Sequence, residues 1–496
     1  MRKNPTVAHT RSTRRAARSR RRLTGVIAAG AALALLAGYG VADAYDRVPG
    51  ILTVAEPIHI DPVPKPEANA GQQQLASPLD TSAPVPADLA GRLDELFDDE
   101  RMTGKLSIDI RDAATNVVLY TRGEASAKTP ASVTKVLTGA AALLSLGGES
   151  RFTTTAALTS TDGGPAQLHL IGGGDVLLGP GESDPMQVMG HAGLATLAEE
   201  TAERLRARGI SSVQLSADVS RYTGPTYNDG WEPGDIGHGF ITHISPLMTE
   251  SGWTKLERGA PRHADPVQVA VDQFAEALAA HGIDAEVGDP AAAGDGAEQL
   301  AQVESAPVSA VVQNMMLASD NVSAEVLGRE VALAAGKAGS GAEAPLAVIE
   351  TLRGAGLDTG SIALEDVSGL NYGNRISAHD LTTLIQAAAA SDGDLSRLVP
   401  GMPVGGLSGT LAERYEDPET TPAAGRVNAK TGTLRTVTSL AGTVLTADGR
   451  LLVFSLMADD LTPGTLMADD LTPGTAGRGR EVFDEAVTLL AECGCS

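Results

Sequence analysis

The chain is poor in the residues that most often announce a chemistry. Of its 496 residues only two are cysteine, Cys493 and Cys495, both in the last four positions. A one-residue spacing cannot clip a large loop, so no disulfide framework is expected. There are nine histidines, none in a His-Glu-x-x-His arrangement and none clustered with cysteine, so neither a metal site nor a cofactor is expected. Aromatic residues are 3% of the chain, and lysine is scarce, with eight against 30 arginines. Basic charge is lacking everywhere except at the start. Of the 38 Lys and Arg, nine lie within residues 1–22, so the rest of the chain sets 29 against 62 acids. A body this acidic lacks the basic face that nucleic-acid binding needs, and no nucleic-acid partner is expected.

What is present begins with an export pattern. The basic stretch precedes an uncharged, mostly apolar run from Leu23 to Val41, and Ala42-Asp43-Ala44 follows as a small-residue cleavage site. That order directs a chain out of the cytoplasm, to the cell envelope or beyond. The run of about 19 residues is also long enough to span a bilayer. Residues 1–44 therefore read as a cleaved signal peptide or a single N-terminal membrane anchor with its basic end inside. Residues 45–87 are rich in proline and read as an extended linker.

Periodicity lays out the folded part. Ala87 to Leu96 reads as a short helix. Leu106, Ile108 and Ile110 alternate with polar residues as in a half-buried strand, and Asn116–Tyr120 returns. Val136, Leu137, Ala140, Leu143 and Leu144 then recur at helical spacing, ended by Gly147-Gly148. Residues 149–306 have a different texture: strands at Phe152–Leu158, Gln167–Ile171 and Val213–Ala217, and helices at Ala195–Arg208 and Val267–His281. Gly172-Gly173-Gly174-Asp175 reads as a tight turn, because no Gly-Lys-Ser/Thr follows to make a phosphate loop. Helices at Val308–Leu317 and Ala324–Ala335 flank Ser319-Asp320-Asn321, residue types that also make a helix cap. A helix at Ala378–Ala390, strands at Val427–Leu434, Ser439–Leu445 and Leu451–Met457, and a helix at Glu481–Leu490 complete the chain. Leu456–Thr465 recurs unchanged as Leu466–Thr475. The first copy is expected to continue an edge strand, and the second to be an extra loop before the last helix.

Three short motifs carry chemistry. In Ser132-x-x-Lys135 the two side chains share one helix face, and a lysine so placed can serve as base for a serine nucleophile. Alone the pattern is weak, since roughly 0.5 such pairs arise by chance in a chain with this few lysines. Ser319-Asp320-Asn321 follows, and then Lys430-Thr431-Gly432-Thr433, whose Lys-Thr-Gly is expected by chance about 0.07 times. Together and in this order the three resemble the penicillin-recognising serine acyltransferases, the D,D-peptidases and serine β-lactamases. The offset of 184 positions from Lys135 to Ser319 narrows the likeness. Such a gap resembles the D-alanyl-D-alanine carboxypeptidase/endopeptidase family of penicillin-binding protein 4 type. So do the Gly-Gly-Gly-Asp turn, Asp366-x-Ser368-Gly369-Leu370 and Pro403-Val404-x-Gly406. Val367, where that family usually has glycine, and the duplication are departures.

The resemblance implies an α+β fold of the serine β-lactamase/D,D-peptidase type, an antiparallel sheet flanked by helices. Residues 88–148 and 307–496 would form it, with 149–306 as one or two inserted accessory domains. It implies a serine D,D-carboxypeptidase or endopeptidase that cleaves D-Ala-D-Ala, or cross-links, of peptidoglycan stem peptides through an acyl-serine, and that β-lactam antibiotics acylate. In that scheme Ser132 is the nucleophile and Lys135 its base, with a pKa lowered by burial and by Lys430. The backbone N–H groups of Ser132 and Thr433 form the oxyanion hole. Ser319 relays the proton to the leaving amine, Asn321 holds the substrate backbone, and Lys430, Thr431 and Thr433 on the strand with Gly432 bind the terminal carboxylate. Asp218 and Tyr222 are weaker candidates for contact with the stem-peptide side chain. A serine β-lactamase is the nearest alternative, but the insertion and the lack of a deacylating glutamate motif argue against it. A non-catalytic peptidoglycan-binding envelope protein would be expected to have lost its nucleophile or base, and both are here.

Overall fold

The chain divides into two units, Met1–Ser77 and Pro78–Ser496. The computed structural model describes residues 88–159, 165–257, 259–462 and 474–493, and within the first unit only Tyr39 and Arg47. Apart from those two residues, the export segment and the proline-rich linker lie outside the described residues, as does the repeated Leu466-Met467. Among the described residues, no helix is long and apolar enough to cross a membrane.

One five-stranded sheet organises the larger unit. Its strands are β1 (Lys105–Asp112), β2 (Val118–Arg122), β8 (Val427–Leu434), β9 (Val437–Leu445) and β10 (Leu451–Asp459), all antiparallel in the order β2-β1-β10-β9-β8. The order corrects the expectation of an edge strand at Leu456-Met457. These residues lie in β10, the central strand, where Leu456 faces Ile108 on one side and Leu440 on the other. Its near-continuous apolar run follows from burial on both faces. Leu452, Phe454 and Leu456 pack under α1 (Leu89–Phe97) and α9 (Gly474–Glu492), while Val453 and Met457 point into the opposite core. That second core is closed by α2 (Thr134–Leu146), α5 (Val308–Ala318), α6 (Asn321–Ala334), α7 (Glu343–Gly354) and α8 (Ala378–Ala390). Helix α2 is buried nearly all round: Val136, Leu137, Ala140, Ala141 and Leu143 are each at most 1% exposed. A helix that apolar is a core helix, and whatever it carries is fixed in place.

Residues between α2 and α5 build a second five-stranded sheet, from β3 (Thr153–Thr159), β4 (Gln167–Ile171), β5 (Ser212–Asp218), β6 (Asp284–Val287) and β7 (Glu298–Glu304). The order is β6-β5-β4-β3-β7, with β4-β5 and β5-β6 parallel and the rest antiparallel. Helices α3 (Leu194–Ala207) and α4 (Pro266–Ala280) close its core around Phe274, Leu168, Leu170 and Leu215. The Gly172–Asp175 stretch is a loop with a bend at Gly174, held by Gly172 N–H on Asp218 O and Gly174 N–H on Pro246 O rather than by a bond of its own. A fourth, small cluster joins the insertion to the helices of the first sheet: Val176, Trp231, Ile241, Ile244 and Met248 lie against Val322 and Val326 of α6.

Candidate active site

Ser132 sits in a single 3-10 turn, Ala131–Val133, that runs straight into α2. The turn is tight: Ala131 has a φ of 50°, and Thr134 Oγ1 donates to Ala131 O over 2.8 Å. Gly369, itself at φ 86°, presses on it so closely that a Cβ there would stand 1.9 Å from Ala131 O. Only glycine tolerates both that φ and that approach. Ser132 is half-buried, whereas Lys135, the second residue of α2, is fully buried.

The Lys135 amine is surrounded on three sides. Nζ lies 3.2 Å from Ser132 Oγ, 2.5 Å from Asn321 Oδ1 and 2.6 Å from Ser368 O. Asn321 is in turn held by its amide, whose Nδ2 donates to Phe240 O over 2.8 Å. Burial pushes the Lys135 pKa down to about 8. Asp366, Asp320 and Glu325 oppose that shift, and Arg262, a cation from the insertion, adds to it.

The Ser-Asp-Asn stretch is both a helix cap and a site element. Ser319 ends α5 in the left-handed region, at φ 54°. Non-glycine residues there store strain that the surroundings must hold, a situation common at functional sites. Asp320 caps α6, its carboxylate accepting from Ser323 N. Asn321 begins that helix, which aims its side chain at Lys135. Ser319 Oγ accepts from Lys430 Nζ at 2.8 Å, and Lys430 Nζ also donates to Thr431 O at 2.9 Å. Lys430 is fully buried, and burial, then the charge of Lys135, push its pKa well below the usual lysine range.

Strand β8 lies at the sheet edge, and its far end passes directly over the nucleophile turn. A Cβ on Gly432 would stand 2.1 Å from Ser439 Oγ, 2.7 Å from Pro130 O and 3.0 Å from Ser132 N. Ser439 Oγ donates to Pro130 O over 2.6 Å, tying β9 to the same turn. Thr431 Oγ1 lies 2.9 Å from Thr410 Oγ1, and Thr433 is exposed. Among the described residues, no group of His, Cys, Asp or Glu side chains is arranged to hold a metal ion.

Two candidates stand apart. Asp218 ends β5, accepts from Ser220 and Ala293, and lines an open cavity on the inserted sheet with Thr155 and Asp295. Tyr222 donates to Glu330 of α6. Among the described residues, neither makes a hydrogen bond to Ser132, Lys135, Asn321 or Lys430. Other residues at the site had no role assigned from the sequence: Phe240, Ser251 and Arg262 from the insertion, Glu325, and the loop of Asp366. Glu325 accepts from Val367 N and Ser368 N, both at 3.0 Å, which fixes the carbonyl that Lys135 meets. A sequence signal existed only for the Asp366 loop, in its likeness to the family pattern.

A model of the D-Ala-D-Ala carboxypeptidase 3 (S13) family matches residues 89–263 and 257–471. The chain is 35% identical over 440 residues to a carboxypeptidase of Mycobacterium tuberculosis, covering 88% of this chain and 90% of that one. It is 36% identical over 425 residues to carboxypeptidase DacB of Mycolicibacterium smegmatis, covering 84% and 87%. Among solved structures, penicillin binding protein 4 of Haemophilus influenzae is similar with a TM-score of 0.65 at 21% identity, over 80% of this chain and 97% of that one. That likeness is one of fold. The Haemophilus protein has also been solved with a β-lactam bound, and that structure is similar with a TM-score of 0.59 at 21% identity over 80% and 97%.

Proposed function

This chain belongs to the D-Ala-D-Ala carboxypeptidase 3 (S13) family, and we infer that Ser132 is the nucleophile with which it works. The chain is a serine-type D-Ala-D-Ala carboxypeptidase. The observation that carries the assignment of Ser132 is the setting of the Lys135 amine. A neutral amine has two N–H groups and one lone pair. Asn321 Oδ1 and Ser368 O can only accept, so they take the two N–H groups. The lone pair is left for Ser132, whose hydroxyl can then give up its proton.

The steps follow from that arrangement. Ser132 Oγ attacks the carbonyl carbon of the penultimate D-alanine, and its proton passes to Lys135. The developing oxyanion is met by N–H groups of Ser132 and Thr433, where β8 overlies the turn. Donors placed there are typically worth about 10²–10³ in rate. A proton then reaches the leaving nitrogen through Ser319, and the C–N bond breaks, leaving an ester on Ser132. Water attacks the ester carbonyl and gives a proton to Lys135, which passes it to Ser132 Oγ as the ester C–O bond breaks and the shortened peptide leaves with a free carboxylate. Past Val427–Ala429, where residues 403–405 pair with it, the edge of β8 lets the substrate backbone add as a further strand, with Asn321 on its other side. Lys430, whose pKa is lowered by burial and by Lys135, regains charge when the terminal carboxylate arrives beside it with Thr431 and Thr433. The same pocket admits a β-lactam, whose ring amide acylates Ser132 while the amine stays tethered.

The test is labelling by a fluorescent penicillin, wild type beside Ser132→Ala. The wild type is expected to be labelled and to release D-alanine from a stem pentapeptide, and the variant to do neither. An unlabelled wild type, or a labelled variant, removes Ser132 from its role. We also propose that the chain acts outside the cytoplasm, supported by the basic and apolar order ahead of Ala42-Asp43-Ala44. N-terminal sequencing of protein from the envelope distinguishes cleavage after Ala44 from a retained anchor. Recovery from the cytosol alone would sink the proposal.

A further inference from the structure

Asp320 stands in the middle of the second motif, yet its carboxylate points away from Lys135 and into the insertion. It is 6% exposed and accepts from Arg262 Nη2 at 2.6 Å, Ser251 Oγ at 2.6 Å, and Ser323 N and Oγ at 3.0 and 2.5 Å. Two of these partners, Arg262 and Ser251, belong to the insertion. Arg262 is 4% exposed and its guanidinium makes four hydrogen bonds, one from Nη2 to Asp320 and three more. Nε donates to Gly239 O at 2.9 Å, and Nη1 donates to Ser251 Oγ at 2.9 Å and to Ser251 O. Its Cζ lies over the Trp253 ring, 4.0 Å from the centroid. Stacked on one face and bonded along its edge, this fork cannot turn without breaking several bonds. Ser251 is itself fixed, in the left-handed region at φ 54°.

We propose that Arg262 is a positioning residue for the acylation step: locked between Trp253 and Asp320, it fixes the Ser319-Asp320-Asn321 turn from behind and so sets Asn321 against the Lys135 amine. The proposal rests on the reading of Ser132 as nucleophile and Lys135 as base. A rigid-body link makes the case. Asp320 and Asn321 are adjacent at the first turn of one helix, so a shift of the Asp320 carboxylate moves Asn321 with it. Asn321 is one of the two acceptors that aim the Lys135 lone pair. The insertion holds it twice, through Arg262 on its neighbour and through Phe240 O on its own amide. The second sheet thus reaches the reaction without placing a reactive group in it.

Charge acts in the same sense. The groups facing Lys135 are Asp320 and Glu325 from α6, Asp366 from the loop before α8, Lys430 from β8, and Arg262 from the insertion. Burial favours the neutral amine, the three carboxylates favour the charged one, and Arg262 opposes the carboxylates. Removing its charge therefore raises the Lys135 pKa and shrinks the neutral fraction at neutral pH.

The experiment measures the rate of penicillin acylation against pH for wild type, Arg262→Lys and Arg262→Met, each normalised to its titratable Ser132 and accompanied by its melting temperature. Arg262→Met is expected to acylate about 100-fold more slowly at pH 7, the scale of a misplaced reacting group. Its acid limb should move to higher pH. Arg262→Lys keeps the charge but loses the fork, so its rate should fall about tenfold with the limb unmoved. A purely structural residue would lower the melting temperature and the titratable fraction while rate and limb per active site stayed those of the wild type, and that result overturns the proposal. Should Arg262→Met fail to fold, Arg262→Lys decides alone, and a wild-type rate from it overturns the proposal. An unlabelled wild type would instead bring down the reading of Ser132 on which the proposal stands.

Discussion

The two five-stranded sheets of this chain are built to different ends. The antiparallel sheet is packed on both faces and carries Lys430 and Gly432 on its edge strand β8. The mixed sheet of the insertion has one apolar core, against α3 and α4, and its strands contribute nothing that touches Ser132, Lys135 or Lys430 among the described residues. Yet the loops after β5 end on the site, at Phe240 O, Ser251 and Arg262. One sheet supplies reagents and the other supplies braces. The strongest test of that division removes a reagent. Lys135→Ala should slow acylation of Ser132 by about 10²–10⁴-fold, the usual worth of a positioned base. In the wild type the base works only when neutral, and its pKa is held at about 8. The rate should therefore rise with pH and level off above that value, with only about 1% of the amine neutral at pH 6. In Lys135→Ala that limb disappears. Penicillin labelling followed across this pH range checks both statements, and a variant that acylates normally ends the assignment.

The next largest effect is expected from the braces. Phe274 is fully buried in the inserted core, and Phe274→Ala should cost about 3–5 kcal/mol of stability. If the insertion braces the site, labelling and the structure of the insertion should be lost together on heating. Calorimetry with penicillin labelling at each temperature reads this. Labelling that outlives the inserted sheet would break the comparison. Gly432→Ala probes the antiparallel sheet by geometry alone, since a Cβ there meets Pro130 O and Ser132 N, backbone atoms of the nucleophile turn. The strand must back away from the oxyanion position. Acylation should fall about 100-fold, near 2.7 kcal/mol of barrier, with little change in melting temperature. A wild-type rate would mean that β8 has slack the structure does not display.

How much of this the sequence carried depends on which sheet is in question. Ser132-x-x-Lys135, Ser319-Asp320-Asn321 and Lys430-Thr431-Gly432 were legible because each is short, ordered and local, and β4, α8 and β8 have the bounds that periodicity predicts. β10 was legible as a strand but not as the central one, because an apolar run does not say how many neighbours cover it. β7 escaped notice: Glu298, Gln299, Gln302 and Glu304 are poor strand formers, and pairing with β3 overrides their preference. Helix α7 was hidden by Pro345 in a stretch rich in glycine and alanine, though proline is tolerated in a first turn. The braces were illegible for a deeper reason. Arg262 and Trp231 are bonded to residues 58 and 135 positions away, and nothing local marks a loop arginine or tryptophan as buried.

Trp231 yields the smallest and most discriminating prediction. Its Nε1 donates to Asp366 Oδ2 over 2.8 Å, a link from the insertion to the loop that carries Ser368 O, beside those of Asn228 to Glu365 O and to Asn371 Nδ2. Asp366 also accepts from Gly369 N, Asn371 N, Asn374 Nδ2 and Ser368 Oγ, so it stays satisfied when the indole is removed. Trp231→Phe keeps an aromatic ring against Tyr227 and loses one hydrogen bond to a carboxylate. A cost of about 1–2 kcal/mol is expected, read as a lower melting temperature. Acylation per titrated site should fall far less than in Gly432→Ala, because Glu325 still holds the Ser368 carbonyl through the amides of Val367 and Ser368. A loss of rate as large as that of Gly432→Ala, with stability unchanged, would move Trp231 out of the braces and into the reacting set.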